Sequence, residues 1–209
     1  PEHVSVQGRE LHLPRWEGKP QGEIPEDVQG TGYSVWTTAP IMASYLERNS
    51  SSEVLAGKRR WLELGAGMGL VGMAAAILWP RSEVVLTDLP ALMPAMEASL
   101  ALNALPNLSC VSYAWGAPPP KAADFVLASD VLWREEQVQS FLQALLEVTT
   151  ADGSALIGFQ RRVQGVESAL RVGLQRSFTV EDVPAAEMHP DFGDMGGRIC
   201  LLICRRIAA

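Results

Sequence analysis

The chain has 209 residues, of which 47% are hydrophobic and 20% are charged, and this composition predicts one domain with a large buried core. The net charge of −7 and the pI near 5.0 argue against a basic face that could bind nucleic acid by neutralising phosphates. No apolar run is long enough to span a bilayer, and no signal peptide is recognisable, so we expect a location in the cytoplasm or the nucleus.

The three cysteines agree with that location. Cys110, Cys200 and Cys204 lie in apolar runs and lack the spacing of metal ligands. Buried free thiols are the usual state of such residues, and an odd number of them suits a reducing compartment. We therefore predict no metal site.

The first 30 residues, rich in proline, glycine and charge, predict an N-terminal arm with one short hairpin around 4–13. We expect residues 31–209 to form a single domain that begins with a helix at 39–48. Strands and helices then alternate, because short buried apolar runs alternate with apolar residues at helical spacing. The predicted strands are 61–64, 83–87, 108–113, 124–128 and 154–159, and the predicted helices are 69–78, 91–105, 135–149 and 163–175.

The C-terminal part breaks this alternation. A turn is predicted at 151–153, and two final strands, 178–183 and 198–207, are joined by a loop in which no helix is expected. Strands without a crossover helix between them most simply run antiparallel, whereas strands separated by helices run parallel. The pattern therefore predicts a Rossmann-like α/β fold, with a mostly parallel seven-stranded sheet, helices on both faces and a C-terminal antiparallel hairpin.

The most informative segment is 61–72, in which a buried strand ends at the acidic Glu63 and is followed by Gly65, Gly67 and Gly69. Glycine permits positive φ and lets a ligand approach the backbone closely. Such a turn from strand to helix is typical of a nucleotide-cofactor site, and its inert alternative is a tight turn with no ligand.

Two cofactors fit this glycine loop. Residues 67–72 satisfy the dinucleotide fingerprint, and Asp88 lies near the expected distance to bind ribose hydroxyls, a role common to both cofactors. Glu63 favours S-adenosylmethionine over NAD, because a carboxylate would repel a pyrophosphate but could accept hydrogen bonds from a cationic amino-acid end. The predicted C-terminal hairpin also favours the methyl donor.

The chain resembles the seven-β-strand (class I) S-adenosylmethionine-dependent methyltransferases, and more narrowly the family-16 non-histone protein lysine methyltransferases. The resemblance covers about residues 30–160 in the motif order of that family. The segments that carry it are 32–36, 63–72, 87–90, Asn103, 115–116 and 124–133.

The resemblance implies S-adenosylmethionine as cofactor, with S-adenosylhomocysteine as product, and assigns roles along the chain. Trp36 would close over the methionine side of the cofactor, Asp88 would bind the ribose, and Leu89 and Trp115 would border the adenine. The implied cofactor-binding set is Trp36, Glu63, Gly65, Gly67, Asp88, Leu89, Trp115 and Ser129. Asp130 and Trp133 would form the catalytic side of the site, at the point of methyl transfer.

The resemblance also implies the reaction, transfer of a methyl group to a protein side chain, most simply lysine. The family usually has Asp-x-x-Tyr after the fourth strand, whereas this chain has Trp133 in place of the tyrosine. An indole supplies an apolar wall and one N–H donor but no hydroxyl. The alternatives are a methyltransferase acting on histidine or on a small molecule, and a module that binds the cofactor or a partner without catalysis.

Overall fold

The computed structural model describes residues 4–14, 31–162 and 164–207. Residues 1–3 and 15–30 of the predicted arm lie outside the described residues. The strands are β1 (Val4–Val6), β2 (Arg9–Leu11), β3 (Arg60–Leu64), β4 (Glu83–Asp88), β5 (Leu108–Ser112), β6 (Ala123–Ser129), β7 (Thr149–Gln160), β8 (Phe178–Asp182) and β9 (Ile199–Arg206). The helices are α1 (Thr38–Arg48), α2 (Leu70–Leu78), α3 (Met93–Asn103), α4 (Gln137–Val148), α5 (Val166–Leu174) and α6 (Ala185–Met188). None of the helices in these ranges is both long and apolar enough to cross a membrane.

The main sheet has seven strands in the order β5-β4-β3-β6-β7-β9-β8. Strands β3 to β7 pair in parallel, and β9 pairs antiparallel with both β7 and β8. The predicted fold class, including the C-terminal antiparallel hairpin, is confirmed.

The order of the strands reverses between β3 and β6, which are neighbours in the sheet. From β3 the chain runs outward through β4 and β5, and from β6 it runs outward in the other direction. In open parallel sheets such a reversal leaves a crevice at the C-terminal strand ends, where ligands bind. The register aligns Leu64 with both Thr87 and Ala128, so the ends of β3, β4 and β6 lie side by side.

Side chains alternate between the two faces of the sheet, and each face is buried in its own apolar cluster. On the face covered by α1 and α2, Trp61 is fully buried and its ring stacks on Trp79 at 4.2 Å and meets Phe125 at 4.7 Å, measured between ring centroids. On the opposite face, Phe141 of α4 and Leu170 of α5 are fully buried. The sheet is thereby covered by helices on both sides.

The N-terminal hairpin, which the sequence predicts, is formed by β1 and β2 and packs onto the main core through Val6 and Leu11. Asn103, at the end of α3, secures it with two hydrogen bonds to the backbone of His12: the His12 N–H donates to Asn103 Oδ1 at 2.9 Å, and Asn103 Nδ2 donates to the His12 carbonyl at 2.8 Å. This contact gives the buried Asn103 a structural role.

Two predictions about the C-terminal part are wrong. Residues 151–153 do not form a turn outside the sheet but belong to β7, which begins at Thr149. The register with β6 is irregular there, because the pair Ala123–Thr149 is followed by the pair Phe125–Ser154. The loop between the last two strands contains the one-turn helix α6, which begins after Pro184 and buries Met188 against the core. Neither difference changes the strand order.

Replacing Trp61 tests this core. Trp61→Ala is expected to lower the free energy of unfolding by about 3–5 kcal/mol, because it leaves a cavity between two aromatic rings. Urea unfolding of the ligand-free protein measures the change. The control is Val172→Ala on the solvent side of α5, where an exposed side chain predicts a change within about 0.5 kcal/mol. Equal effects of the two substitutions would contradict the packing described.

Candidate active site

A cavity of about 400 Å³ opens at the C-terminal ends of β3, β4 and β6. The sequence predicts ten site residues, and all of them line it: Trp36, Glu63, Gly65, Gly67, Asp88, Leu89, Trp115, Ser129, Asp130 and Trp133. They come from five separate stretches of the chain, which the parallel sheet brings together. Their convergence makes this cavity the candidate site.

The glycine-rich loop after β3, residues 65–69, forms one wall of the cavity. Gly65 and Gly67 have φ of +65° and +54°, which residues with a Cβ rarely adopt. A Cβ on Gly65 would lie 2.6 Å from Val131, and one on Gly67 would lie 3.0 Å from the Gly32 carbonyl oxygen. Both positions therefore require glycine, because a Cβ would strain the backbone and crowd the neighbouring chain.

Asp88, the last residue of β4, holds the glycine loop in place. The Gly67 N–H donates to one carboxylate oxygen at 2.7 Å, and the Leu89 N–H donates to the other at 2.7 Å. Burial raises the pKa of Asp88 above its usual range, while these two backbone donors oppose the rise. Each oxygen retains a second lone pair that a ligand hydroxyl could use.

Glu63 is the most deeply buried carboxyl of the site, with 1% of its surface exposed. Its Oε2 accepts a hydrogen bond of 2.8 Å from the N–H of Gly72, in the first turn of α2, where backbone donors have no partner within the helix. The sequence reasoning did not foresee this contact, which gives Glu63 a structural partner besides the predicted cofactor. Burial raises the pKa of Glu63 to about 8; the Gly72 donor lowers it and the charge of Asp88 raises it further.

Asp130 follows β6 in an unusual backbone conformation, with φ of +54°. Aspartate tolerates the left-handed region better than most residues, and two hydrogen bonds hold it there. The Asp130 N–H donates to the Gly158 carbonyl at 2.8 Å, and the Gln160 N–H donates to Asp130 Oδ1 at 2.9 Å. The end of β7 thus fixes the direction of this carboxylate.

At the end of β6 and in the loop that follows it, three buried polar atoms have no hydrogen-bond partner within the described ranges: Ser129 Oγ, Asp130 Oδ2 and Trp133 Nε1. All three belong to residues that line the cavity. Buried polar atoms are normally paired, so such a group indicates a place where a ligand completes the hydrogen bonds. The backbone N–H of Trp133 is bonded to Gln137 Oε1 at 3.1 Å, which secures the segment before α4.

Residues 32–36, which we call the strap, lie across the glycine loop before α1 begins. Gly32 touches the loop at Gly67, and a Cβ on Gly32 would lie 2.3 Å from Leu92. The Tyr33 hydroxyl donates to the Ala91 carbonyl at 3.2 Å. Trp36, at the other end of the strap, lines the cavity and is 37% exposed.

Arg162 is a site residue that is absent from the set predicted from the sequence. Arg162 lines the cavity, pairs with Asp130 Oδ1 at 3.2 Å and lies over the Trp36 ring at 4.7 Å from its centroid. Of the cavity-lining residues that the structure describes, Arg162 alone carries a cationic side chain. No sequence signal distinguishes it from its neighbour Arg161, which instead pairs with Glu167 at 2.9 Å.

The remaining walls are mostly apolar. Trp115 is half-buried and meets Phe141 edge to face, with 5.3 Å between ring centroids, and Leu89 and Leu92 lie along the same cavity. The described ranges contain no group of three His, Cys, Asp or Glu side chains that could hold a metal ion. The cavity therefore combines a glycine-rich loop, buried carboxyl groups and flat apolar walls. The carboxyl groups suit a ligand with a cationic end and hydroxyls, and the apolar walls suit an aromatic base.

Comparison with known proteins identifies the group to which this arrangement is similar. A family model described as lysine methyltransferase matches residues 22–171. The protein N-lysine methyltransferase METTL21A of Mus musculus is 30% identical over 180 residues, which cover 80% of this chain and 80% of that protein. The range matched by the family model includes the glycine loop, Asp88 and the segment from Ser129 to Trp133.

Two solved structures share the fold. An O-methyltransferase family protein from Burkholderia thailandensis has a TM-score of 0.61 at 16% identity, and the alignment covers 82% of this chain but only 57% of that one. A TehB-like S-adenosylmethionine-dependent methyltransferase from Corynebacterium glutamicum has a TM-score of 0.59 at 17% identity, covering 87% of this chain and 93% of that one. At such low identity these similarities establish the architecture alone.

The burial of Glu63 predicts a pH-dependent stability. Its pKa is about 8 in the folded protein and 4.5 ordinarily, so between these values the folded chain retains a proton that the unfolded chain has released. Raising the pH through this window therefore favours unfolding. Relative to Glu63→Gln, the free energy of unfolding of the ligand-free protein should fall by about 1.4 kcal/mol per pH unit and level off above the folded pKa. Denaturant titrations of both proteins from pH 5 to 9 measure this difference, and a constant difference would show an ionised Glu63 throughout.

Proposed function

The chain belongs to the lysine methyltransferase family, and we propose that it transfers a methyl group from S-adenosylmethionine to the side-chain amine of a lysine in a protein. The observation that carries the proposal is the convergence of all ten predicted site residues on one cavity at the sheet's topological switch. This site supports the predicted cofactor and the predicted reaction together.

The residues present fit the cofactor. Gly65 and Gly67 line the cavity with backbone alone, and Glu63 and Asp88 line it with carboxyl groups. Glu63 would face the amino-acid end, Asp88 the ribose, and Leu89 and Trp115 the adenine. When bound, S-adenosylmethionine supplies an electrophilic methyl group.

The acceptor side is formed by the segment after β6. Asp130 Oδ2 and Ser129 Oγ are buried acceptors without partners among the described residues, and an incoming ammonium could donate to both. The rings of Trp36 and Trp133 would flank the aliphatic part of the lysine, and aromatic faces attract cations. These residues would align the acceptor and exclude water.

The acceptor nitrogen must lose a proton before it can attack a methyl group. Desolvation lowers the pKa of an amine, and the apolar walls formed by Val131, Leu132 and Trp133 supply that environment. We assign no general base, because the histidines of the chain are absent from the described lining of the cavity. The chain's contribution is therefore binding, orientation and exclusion of water.

A labelling experiment tests this function. The purified protein is incubated with a cell extract and methyl-labelled S-adenosylmethionine, and the labelled residue is identified by mass spectrometry. Label on lysine in a protein is the expected result. Label on histidine, on a metabolite or on nucleic acid would overturn the lysine assignment, and cofactor binding without any transfer would support a module without catalysis.

Asp88 provides a test of the cofactor site. Asp88→Ala removes the acceptor of two backbone hydrogen bonds and the proposed ribose ligand, so cofactor affinity should fall at least about 100-fold. Isothermal titration calorimetry with S-adenosylhomocysteine measures the affinity. The control is Asp152→Asn, an exposed carboxylate in β7, which should bind as the wild type does. Unchanged affinity in Asp88→Ala would remove Asp88 from the site.

Asp130 provides the complementary test of the acceptor site. Asp130→Asn keeps an oxygen for the Gln160 N–H and a side chain suited to positive φ, but it removes the negative charge. We expect cofactor affinity within about tenfold of the wild type and methyl transfer reduced at least about 100-fold. Single-turnover assays on the labelled protein measure transfer. Full activity in Asp130→Asn would exclude the proposed role of its charge.

A further inference from the structure

We propose that Arg162 is a positioning residue that retains the cofactor by clasping Trp36 to Asp130 across the mouth of the cavity. The inference rests on the proposed function in one respect, that the cavity binds S-adenosylmethionine. The clasp itself consists of a guanidinium that pairs with Asp130 Oδ1 at 3.2 Å and lies 4.7 Å from the centroid of the Trp36 ring.

The strap crosses the cavity and is attached near its own N-terminal end. The Tyr33 hydroxyl donates to the Ala91 carbonyl in the turn before α3, and Gly32 packs against Leu92 and the glycine loop. Both contacts lie on the β3–β4 side of the cavity. Trp36 extends from there along the cavity wall, and α1 begins two residues later.

Arg162 reaches Trp36 from the β6–β7 side of the cavity. It follows the end of β7, and its partner Asp130 follows the end of β6. Asp130 is a firm anchor, because its side chain is 3% exposed and its Oδ1 also accepts the Gln160 N–H. Arg162 therefore connects the partly exposed Trp36 ring to the buried Asp130 carboxylate on the other side of the cavity.

The two contacts of Arg162 are individually weak. The Arg162 side chain is 43% exposed, and contacts of a cation with a ring or a carboxylate at such sites are weak individually. A clasp of this kind can be closed most of the time and still open for exchange. Its loss should therefore change how fast the cofactor leaves more than it changes the fold.

The charged groups around the clasp belong to two sets. Among the described residues, Asp130 lines the cavity with Arg162, as do the more deeply placed Glu63 and Asp88. On the other side, Arg161 and Glu167 pair with each other at 2.9 Å beside a smaller pocket that Arg162 also borders. Arg161 does not line the cofactor cavity, so it offers a matched control one residue away.

The test measures the dissociation rate of S-adenosylhomocysteine by stopped-flow tryptophan fluorescence, with excess S-adenosylmethionine as chase. Arg162→Gln should release the ligand about five- to tenfold faster than the wild type. Arg162→Lys, which keeps a cation able to contact both partners, should restore most of the retention. Arg162→Gln combined with Trp36→Ala should be no faster than Trp36→Ala alone, because both remove the same contact.

Arg161→Gln should leave the dissociation rate within about twofold of the wild type, and ligand-free Arg162→Gln should unfold at the wild-type denaturant concentration. A wild-type rate in Arg162→Gln, or an equal acceleration in Arg161→Gln, would overturn the clasp while leaving the proposed function intact. Failure of the wild type to bind S-adenosylhomocysteine would instead overturn the proposed function, and the clasp with it.

Discussion

The hydrogen bond from the Gly67 N–H to the Asp88 carboxylate determines the shape of the cavity, because it ties the loop after β3 to the end of β4. Three of the five residues 65–69 of this loop are glycine, and glycines lose much conformational entropy on folding. Asp88 holds the loop in place with charge-assisted bonds to Gly67 and Leu89. The ligand-binding backbone therefore depends on a side chain that is also placed to meet the ligand.

That arrangement takes two carboxyl groups out of water. Burial raises the pKa of both Glu63 and Asp88, so the ligand-free cavity carries a desolvation cost, and no cation among the described residues is paired with either group. Arg162 is occupied with Asp130, and the hydrogen bonds to Glu63 and Asp88 come from neutral backbone donors. A ligand with a positive amino-acid end recovers part of this cost, whereas a pyrophosphate would increase it.

The site residues that could be predicted are those that lie at the ends of strands. Glu63, Asp88 and Asp130 end or follow apolar runs, and parallel strands bring such positions to one edge of the sheet. Arg162 also follows a strand, but it could not be predicted, because its partners in the site, Trp36 and Asp130, are distant in sequence. The inclusion of 151–153 in β7 could not be predicted for a related reason: it depends on the pairing of the flanking Thr149 and Ser154 with β6, while residues 151–153 themselves favour a turn.

The open polar atoms after β6 show what the replacement of tyrosine by Trp133 changes. Asp130 divides its two oxygens, since Oδ1 is used by Gln160 and Arg162 and Oδ2 is left for the cavity. An ammonium can donate to Oδ2 and to the Ser129 hydroxyl, but it has no lone pair to offer the indole N–H of Trp133. A tyrosine hydroxyl could have accepted from that ammonium. The buried indole N–H can pair only with a lone pair, which an ammonium lacks and a carbonyl oxygen offers.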